Sequence, residues 1–265
     1  MVKSLIRGGV DANPTMFNKD TVLHLAIANY DESACLDLVN VFIEAGFDLA
    51  TLNSTGETAL QVAVPRSYTS VAKCLLLRNV PLPPDILVFA VQKGSTPQMV
   101  RFLVHKGADV HSTMPNGDTL LHLAVARPRS SQAHQRRVLE IVQILVDAGC
   151  SPMELDFRAE TAFEAAMKCG HILVMQYLLS RDIPLPPAID IVSKALELHC
   201  TPEIIQLLAH KYARDLATMA GLHWSSLLLL AHASYTGPER QRVLETLNVA
   251  RQTNMTQPQR DTHRC

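Results

Sequence analysis

Aromatic side chains are scarce, at 5% of 265 residues with a single tryptophan. That is lean for a β-sandwich and normal for stacked helices rich in Leu, Ala and Val. No sign of charge dominates: 24 Lys and Arg face 25 Asp and Glu, a net charge of −1. No global field therefore draws the chain to nucleic acid or an anionic membrane. Long apolar runs are missing too. The longest leucine cluster, Leu227 to Leu230, falls far short of the roughly 18–20 residues a membrane span needs. The opening "MVKSLIRGGVDANP" lacks the roughly 7–15-residue apolar stretch of a secretory signal. Six scattered cysteines (Cys35, Cys74, Cys150, Cys169, Cys200, Cys265) form no CxxC pair, which fits reduced thiols better than a disulfide framework. The expected location is cytoplasmic or nuclear. Nor does GxSxG, GxxxxGK[ST] or HExxH occur, and "RGG" at Arg7 is too short to cradle phosphate.

What is present is a core: 48% of residues are hydrophobic, which excludes wholesale disorder. It is also periodic. "DTVLHLAIA" from Asp20 returns as "DTLLHLAVA" from Asp118. With Thr119 as a helix N-cap, Ala124 follows five residues on. The same offset joins Thr21 to Ala26, Thr58 to Ala63, Asp85 to Ala90, Thr161 to Ala166, Asp190 to Ala195 and Ser226 to Ala231. Two residues after each cap stands an apolar side chain: Leu23, Leu60, Leu87, Leu121, Phe163, Val192 or Leu228. Cap-to-cap spacings are 37, 27, 34, 42, 29 and 36 residues.

Each position has a physical task. A cap oxygen accepts from an otherwise unpaired amide of the first turn, worth about 1 kcal/mol. Thr58 with Gln61 and Thr161 with Glu164 have capping-box spacing. The alanine lets helices approach closely. Frames end in a second amphipathic segment: Val39, Phe42 and Ile43 before Gly46, Val100, Leu103 and Val104 before Gly107, and Val142, Leu145 and Val146 before Gly149. These positions form one buried stripe, with glycine supplying the left-handed stop. Asn79 and Asp182 take its place elsewhere.

Two helices and a turn at this period leave two common families. The tetratricopeptide pattern wants Trp, Gly, Tyr and Pro at set places, which these frames lack. The motifs resemble ankyrin repeats: T-x-L-H-L-A at Thr21 and Thr119, "KGADV" at Lys106–Val110, and "CGH" at Cys169–His171, matching the inter-helix turn. Val22, Ala59, Leu120 and Ala162 stand where the family usually has proline. The resemblance covers about 245 residues. It implies that His24 and His122 are structural, bonding local polar groups and stapling adjacent repeats. A catalytic residue has no reason to appear twice in identical framing.

A longer period is superimposed. "VPLPP" (Val80–Pro84) and "IPLPP" (Ile183–Pro187) lie 103 residues apart and precede the frames of Asp85 and Asp190. Frames one, four and seven carry long inserts between their helices, and "RRVLE" at Arg136 returns as "QRVLE" at Gln241. This reads as three repeats copied twice, plus the start of a third copy. Proline lacks an amide donor, so "PLPP" favours an extended connector, and the projecting finger is expected to be shortened before frames three and six. "HSTMPNGD" (His111–Asp118) has a good turn signal, so its finger should persist. "LIRGGVDAN" (Leu5–Asn13) resembles the end of an outer helix without its partner. The expected organisation is a partial repeat at 1–18, an array at 19–251 and a polar tail at 252–265.

Candidate chemistry was set against plainer readings. Cys169, His171, His199 and Cys200 have zinc-ligand types, but stacked helices about 8–10 Å apart would make four short side chains bridge a repeat. No metal is expected. Cys74 and Cys150 read as small hydrophobes beside outer helices. The insert "RPRSSQAHQRR" (Arg127–Arg137), with "PERQR" (Pro238–Arg242) as a counterpart, offers bidentate donors to an acidic partner or phosphate, though a solvated loop explains it equally simply. Trp224 could anchor a partner or cover the apolar end of the stack.

The expected fold is an all-α solenoid of about seven ankyrin-like helix-turn-helix repeats, with short or missing fingers at some junctions. The resemblance implies a non-catalytic scaffold that binds a protein on its concave face and fingers, without cofactor. The contacts expected are Met114, Asn116, Met153, Phe157 and Arg158, with Phe47 and Trp224 next. The alternative is the recognition arm of a larger signalling enzyme or nucleotide-driven receptor whose catalytic part lies outside these residues. A monomer is expected, with neither membrane nor nucleic acid as partner.

Overall fold

The computed structural model describes residues 21–126, 131–181, 187–218 and 221–252. Among them every regular element is helical, and the extended pairing is two isolated bridges, Thr113 with Thr119 and Leu155 with Thr161. The segment 1–18, Asp182, most of "IPLPP" and all but the first residue of the 252–265 tail lie outside the described residues.

The helices come in inner–outer pairs: α1 Val22–Asn29 with α2 Glu32–Glu44, α3 Ala59–Ala63 with α4 Thr69–Leu77, and α5 Ile86–Lys93 with α6 Pro97–His105. Next come α7 Leu120–Val125 with α8 Gln132–Asp147, α9 Ala162–Cys169 with α10 Ile172–Leu179, and α11 Ala188–Glu197 with α12 Pro202–Lys211. A short α13 Ala213–Thr218 precedes the last pair, α14 Gly221–Ser234 and α15 Gly237–Gln252. The described chain forms two compact units, one of residues up to Ala124 with Glu140–Ser151, the other of Val125–Leu139 and everything from Pro152. In the first unit, inner helix α1 lies on α3, while outer helices α2, α4 and α6 lie side by side. In the second, α11 lies on α14, and α10, α12 and α15 form the outer row.

Packing follows the repeated alanine. Ala26, Ala63, Ala90, Ala124, Ala166, Ala195 and Ala231 are all between 0% and 8% exposed, because only a methyl fits where neighbouring helices come closest. Leu23, Leu60, Leu87, Leu121, Phe163 and Val192 are buried beside them. On the outer helices the first two members of each stripe are buried (Val39 and Phe42, Val100 and Leu103, Val142 and Leu145). The third (Ile43, Val104, Val146) is half-buried at the stripe's edge.

The helix starts divide into two kinds. Thr21, Thr58 and Thr161 sit in extended backbone and their hydroxyls accept from the amides of His24, Gln61 and Glu164. Gln61 and Glu164 bond back to their cap amides at 2.9 Å, closing capping boxes. Three expected caps are corrected. Asp85 occupies the N-cap position but makes no side-chain cap bond; the turn is closed by the Ile86 amide donating to the Pro83 carbonyl at 3.1 Å. Asp190 lies inside α11, which begins at Ala188 with Pro187 as its cap, since proline's fixed φ pre-sets helix entry. Ser226 is an exposed mid-helix residue of α14. That helix starts six residues earlier than expected, at Gly221 rather than Leu227, and its phase buries Trp224, Leu227 and Ala231 while Leu228 is only half-buried.

The described residues of the inserts expected between the helices of frames one, four and seven are largely helical. They lengthen the outer helix: α2, α8 and α15 run 13, 16 and 16 residues, against 9, 9, 8 and 10 for α4, α6, α10 and α12. Arg136 and Arg137 therefore stand on α8, and Arg240 and Arg242 in the first turns of α15. Residues 127–130 of the arginine-rich stretch lie outside the described residues.

Candidate partner-binding surface

Among the described residues three fingers project between frames, built on one hydrogen-bond plan. The amides of Asn53, Met114 and Asp156 each donate at 2.9 Å to the carbonyl four residues on, of Glu57, Asp118 and Glu160. Inside each turn a residue with positive φ donates to the carbonyl three back: Gly56 (φ 77), Gly117 (φ 83) and Ala159 (φ 58). Two fingers are locked by an Asx turn. Asn53 Oδ1 accepts from the amides of Thr55 and Glu57 at 3.0 and 2.8 Å, and Asp156 Oδ1 from those of Arg158 and Glu160 at 2.8 and 2.9 Å. Before frame three no such turn forms. Val80–Pro84 is a connector without a finger turn, its Val80 amide donating to the Leu75 carbonyl at 3.3 Å, and Ser112 of the following finger donates to the Pro84 carbonyl at 3.0 Å.

Junctions between frames are stapled at the third helical residue. His24 Nε2 donates to the Glu57 carbonyl at 3.0 Å, while its Nδ1 meets the Thr21 hydroxyl at 2.7 Å. A carbonyl can only accept, so Nε2 carries a hydrogen. His122 repeats the hydroxyl contact with Thr119 at 2.8 Å. In frame five the equivalent residue is Glu164, and there the staple is ionic. Lys194 of α11 reaches Glu164 at 2.8 Å and Glu160 at 3.3 Å, and Lys168 also pairs with Glu160. Burial opposes ionisation of Glu164, but the bonds from Lys194 and from the Thr161 amide outweigh it and hold the carboxyl below its ordinary range. Burial likewise opposes the charge on Lys194, and the two carboxylates more than compensate, raising it.

The expected contact residues fall into two groups. Met153, Phe157 and Arg158 share the third finger and are exposed, with Phe157 at 59%. Its ring carries the Arg158 guanidinium 4.9 Å from the centroid. Met114 and Asn116 share the second finger, Met114 half-buried. Both polar ends of Asn116 are committed to the turn, Nδ2 donating to Asp118 Oδ2 at 3.0 Å and Oδ1 accepting from the Asp118 amide at 3.2 Å. Phe47 is half-buried against Phe42 at 4.8 Å. Trp224 is buried with the Arg251 guanidinium 5.0 Å over its ring, a cover for the apolar core rather than a free anchor. Sequence reasoning passed over Leu52 and Leu155, 54% and 56% exposed, each one residue before an Asx turn. The alternation Met153, Leu155, Phe157 carries that signal.

The cysteines and histidines weighed as ligands are engaged elsewhere. Cys169 Sγ donates to the Ala126 carbonyl and Cys200 Sγ to that of Met167. Burial raises both thiols, Cys200 to about 11, so neither is a thiolate at neutral pH. His199 Nδ1 lies 2.9 Å from the Glu197 carbonyl, and the buried His171 ring sits 5.9 Å from that of His134. Cys150 Sγ donates to the Val110 carbonyl at 3.1 Å, and the half-buried Cys74 to Asn40 Oδ1 at 3.5 Å. Among the described residues no group of three or more His, Cys, Asp or Glu could hold a metal ion, and no helix is long and apolar enough to cross a membrane.

Comparison with known proteins places these features in context. The family model for ankyrin repeats (three copies) matches residues 1–82 and 87–194. An ankyrin repeat-containing protein of Treponema pallidum (strain Nichols) is 32% identical over 124 residues, 44% of this chain and 38% of that protein. The intracellular phospholipase A2 of Caenorhabditis elegans is 30% identical over 142 residues, 54% of this chain and 10% of the enzyme. Among solved structures, the ankyrin repeat domain of Bcl-3, a member of the IkappaB protein family, superimposes with a TM-score of 0.54 at 22% identity, covering 69% of this chain and 81% of that one. The chain thus spans less than two fifths of either curated relative's length.

Proposed function

This chain belongs to the ankyrin-repeat family, and from that membership we propose that it is a non-catalytic scaffold binding a protein partner through its fingers and inner-helix edge, with Met114, Met153, Phe157 and Arg158 as contacts and Asn116 holding the second finger in shape. Ankyrin repeats are a protein-interaction fold, and the observation that carries the reading here is exposed apolar side chains on turns whose backbones are locked. A rigid finger loses little conformational entropy on binding, and an apolar side chain held in water gains by being covered. The chain acts inside the cell on this reading, in keeping with its free thiols, and as a monomer. The test is affinity capture from cell extract with wild type beside a Met114/Phe157/Arg158 triple alanine variant. A partner retained by wild type and lost by the variant supports the proposal; equal recovery of every partner removes this face from consideration.

A second reading draws on the Caenorhabditis elegans relative, in which the matched stretch is 10% of an enzyme. In such a setting the repeats would be the recognition arm of a larger signalling protein. A transcript joining these codons to a catalytic domain would favour it.

A further inference from the structure

The third finger does more than expose apolar surface. Of the nine large apolar side chains exposed among the described residues, three (Met153, Leu155, Phe157) fall within five consecutive positions of this finger. Beside them the exposed Arg158 makes no ion pair among the described residues; its guanidinium rests on the Phe157 ring, while its backbone amide is tied to Asp156. The other cations near this frame are differently placed, Lys168 and Lys194 being neutralised by Glu160 and Glu164. A guanidinium has five donors in a planar fork suited to a carboxylate, and stacking on a ring limits its motion before any partner arrives. We propose that the third finger recognises an acidic, apolar peptide segment of a partner protein, in which Leu-, Ile- or Phe-type side chains cover Met153, Leu155 and Phe157 and a neighbouring Asp or Glu takes the fork of Arg158. This rests on the finger-binding reading above and names the chemistry of what binds.

The Arg158 fork sets the sign of the group it takes, although the same finger also exposes the carboxylate Glu154, and apolar exposure sets that group's company. A basic segment would bring like charge against Arg158, and a purely polar one would leave the three apolar side chains in water. The experiment pans a phage library of random peptides, each about a dozen residues long, against the full chain, then titrates synthetic copies of the enriched peptides against wild type, Phe157→Ser and Arg158→Glu. Both positions are exposed, and melting curves verify folding. The expected result is enrichment of Asp or Glu within one or two positions of a large apolar residue, with affinity falling about tenfold in each variant. Added salt should weaken binding, and Lys-for-Glu versions of the peptides should bind Arg158→Glu better than wild type. Peptides that need Phe157 but are neutral or basic would overturn the acidic assignment and leave the finger reading standing. Peptides indifferent to both substitutions, or no enrichment at all, would overturn it together with the role of this finger.

Discussion

At the scale of single residues, two positions show how local chemistry is adjusted to the repeat. Ala159 occupies a left-handed turn position (φ 58) that Gly56 and Gly117 fill in the other fingers. An L-residue costs about 1–2 kcal/mol there, offset partly by the smaller entropy loss of alanine on folding. Ala159→Gly should therefore stabilise the chain by about 0.5–1 kcal/mol, read as a higher urea midpoint at unchanged m-value; a lower midpoint would contradict the strained turn. Glu164 offers a cleaner dissection, because Gln61 shows that glutamine can close the same capping box. Glu164→Gln should keep the box, lose the ion pair with Lys194, and cost about 1 kcal/mol or less at neutral pH, as expected for a partly exposed pair. The pH dependence has a definite direction. The folded carboxyl titrates below its ordinary value, so its contribution is complete above the unfolded value and drains away as pH falls through the folded one. Lys194 is raised, so its share is complete at neutral pH and is lost only as pH climbs past the ordinary lysine value. Wild type should thus lose stability faster than Glu164→Gln as pH falls below the ordinary glutamate value; parallel pH profiles would show that the pair contributes nothing.

At the scale of elements, every pair of helices has one buried alanine at a close approach, and frames one and five add a staple to the next frame. Ala166 is wholly buried, so Ala166→Leu inserts volume where helices touch and should destabilise by about 1–3 kcal/mol, visible as a lower melting temperature with helical content retained. A neutral outcome would mean that this alanine is not at a close contact. His24→Ala removes the bond that ties α1 to the Glu57 carbonyl of the next frame. The Glu57 carbonyl keeps its bond from the Asn53 amide, so the loss is that of a single hydrogen bond, about 0.5–1.5 kcal/mol, and faster hydrogen exchange across α1 and the first finger would report it. Lengthening of the outer helix is the shared element-level response to insertion: extra residues in frames one, four and seven extend α2, α8 and α15, and in frame seven the inner helix α14 is long as well, at 14 residues.

For the whole molecule, stability is distributed among neighbours rather than drawn from one centre. A lesion should be felt most in the frames that touch it. Ala90→Leu in the first unit and Ala195→Leu in the second should each lower hydrogen-exchange protection most within the unit that bears it. A uniform loss along the chain in both variants would contradict that nearest-neighbour picture.

The sequence alone determined the repeat, the helix pairs and the buried alanines, because cap-to-alanine spacing and stripe periodicity are local properties that each helix must satisfy by itself. Thr21, Thr58 and Thr161 were legible for that reason. Tertiary packing decided the rest. Asp190 and Ser226 have the chemistry of caps, yet Pro187 starts α11 earlier, and the need to bury Trp224 with Leu227 and Ala231 sets the phase of α14. Packing likewise drew Gln132–Arg137 of the arginine-bearing insert into helix α8, because the VLEIVQIL run that follows, held by buried Val138, Ile141, Val142 and Leu145, could be prolonged at little cost. The ionic clamp of Lys194 on Glu160 and Glu164, 30 or more residues apart in sequence, and the freedom of Arg158 beside it exist only once the frames are stacked, since pairing of charges depends on which side chains the fold brings within reach.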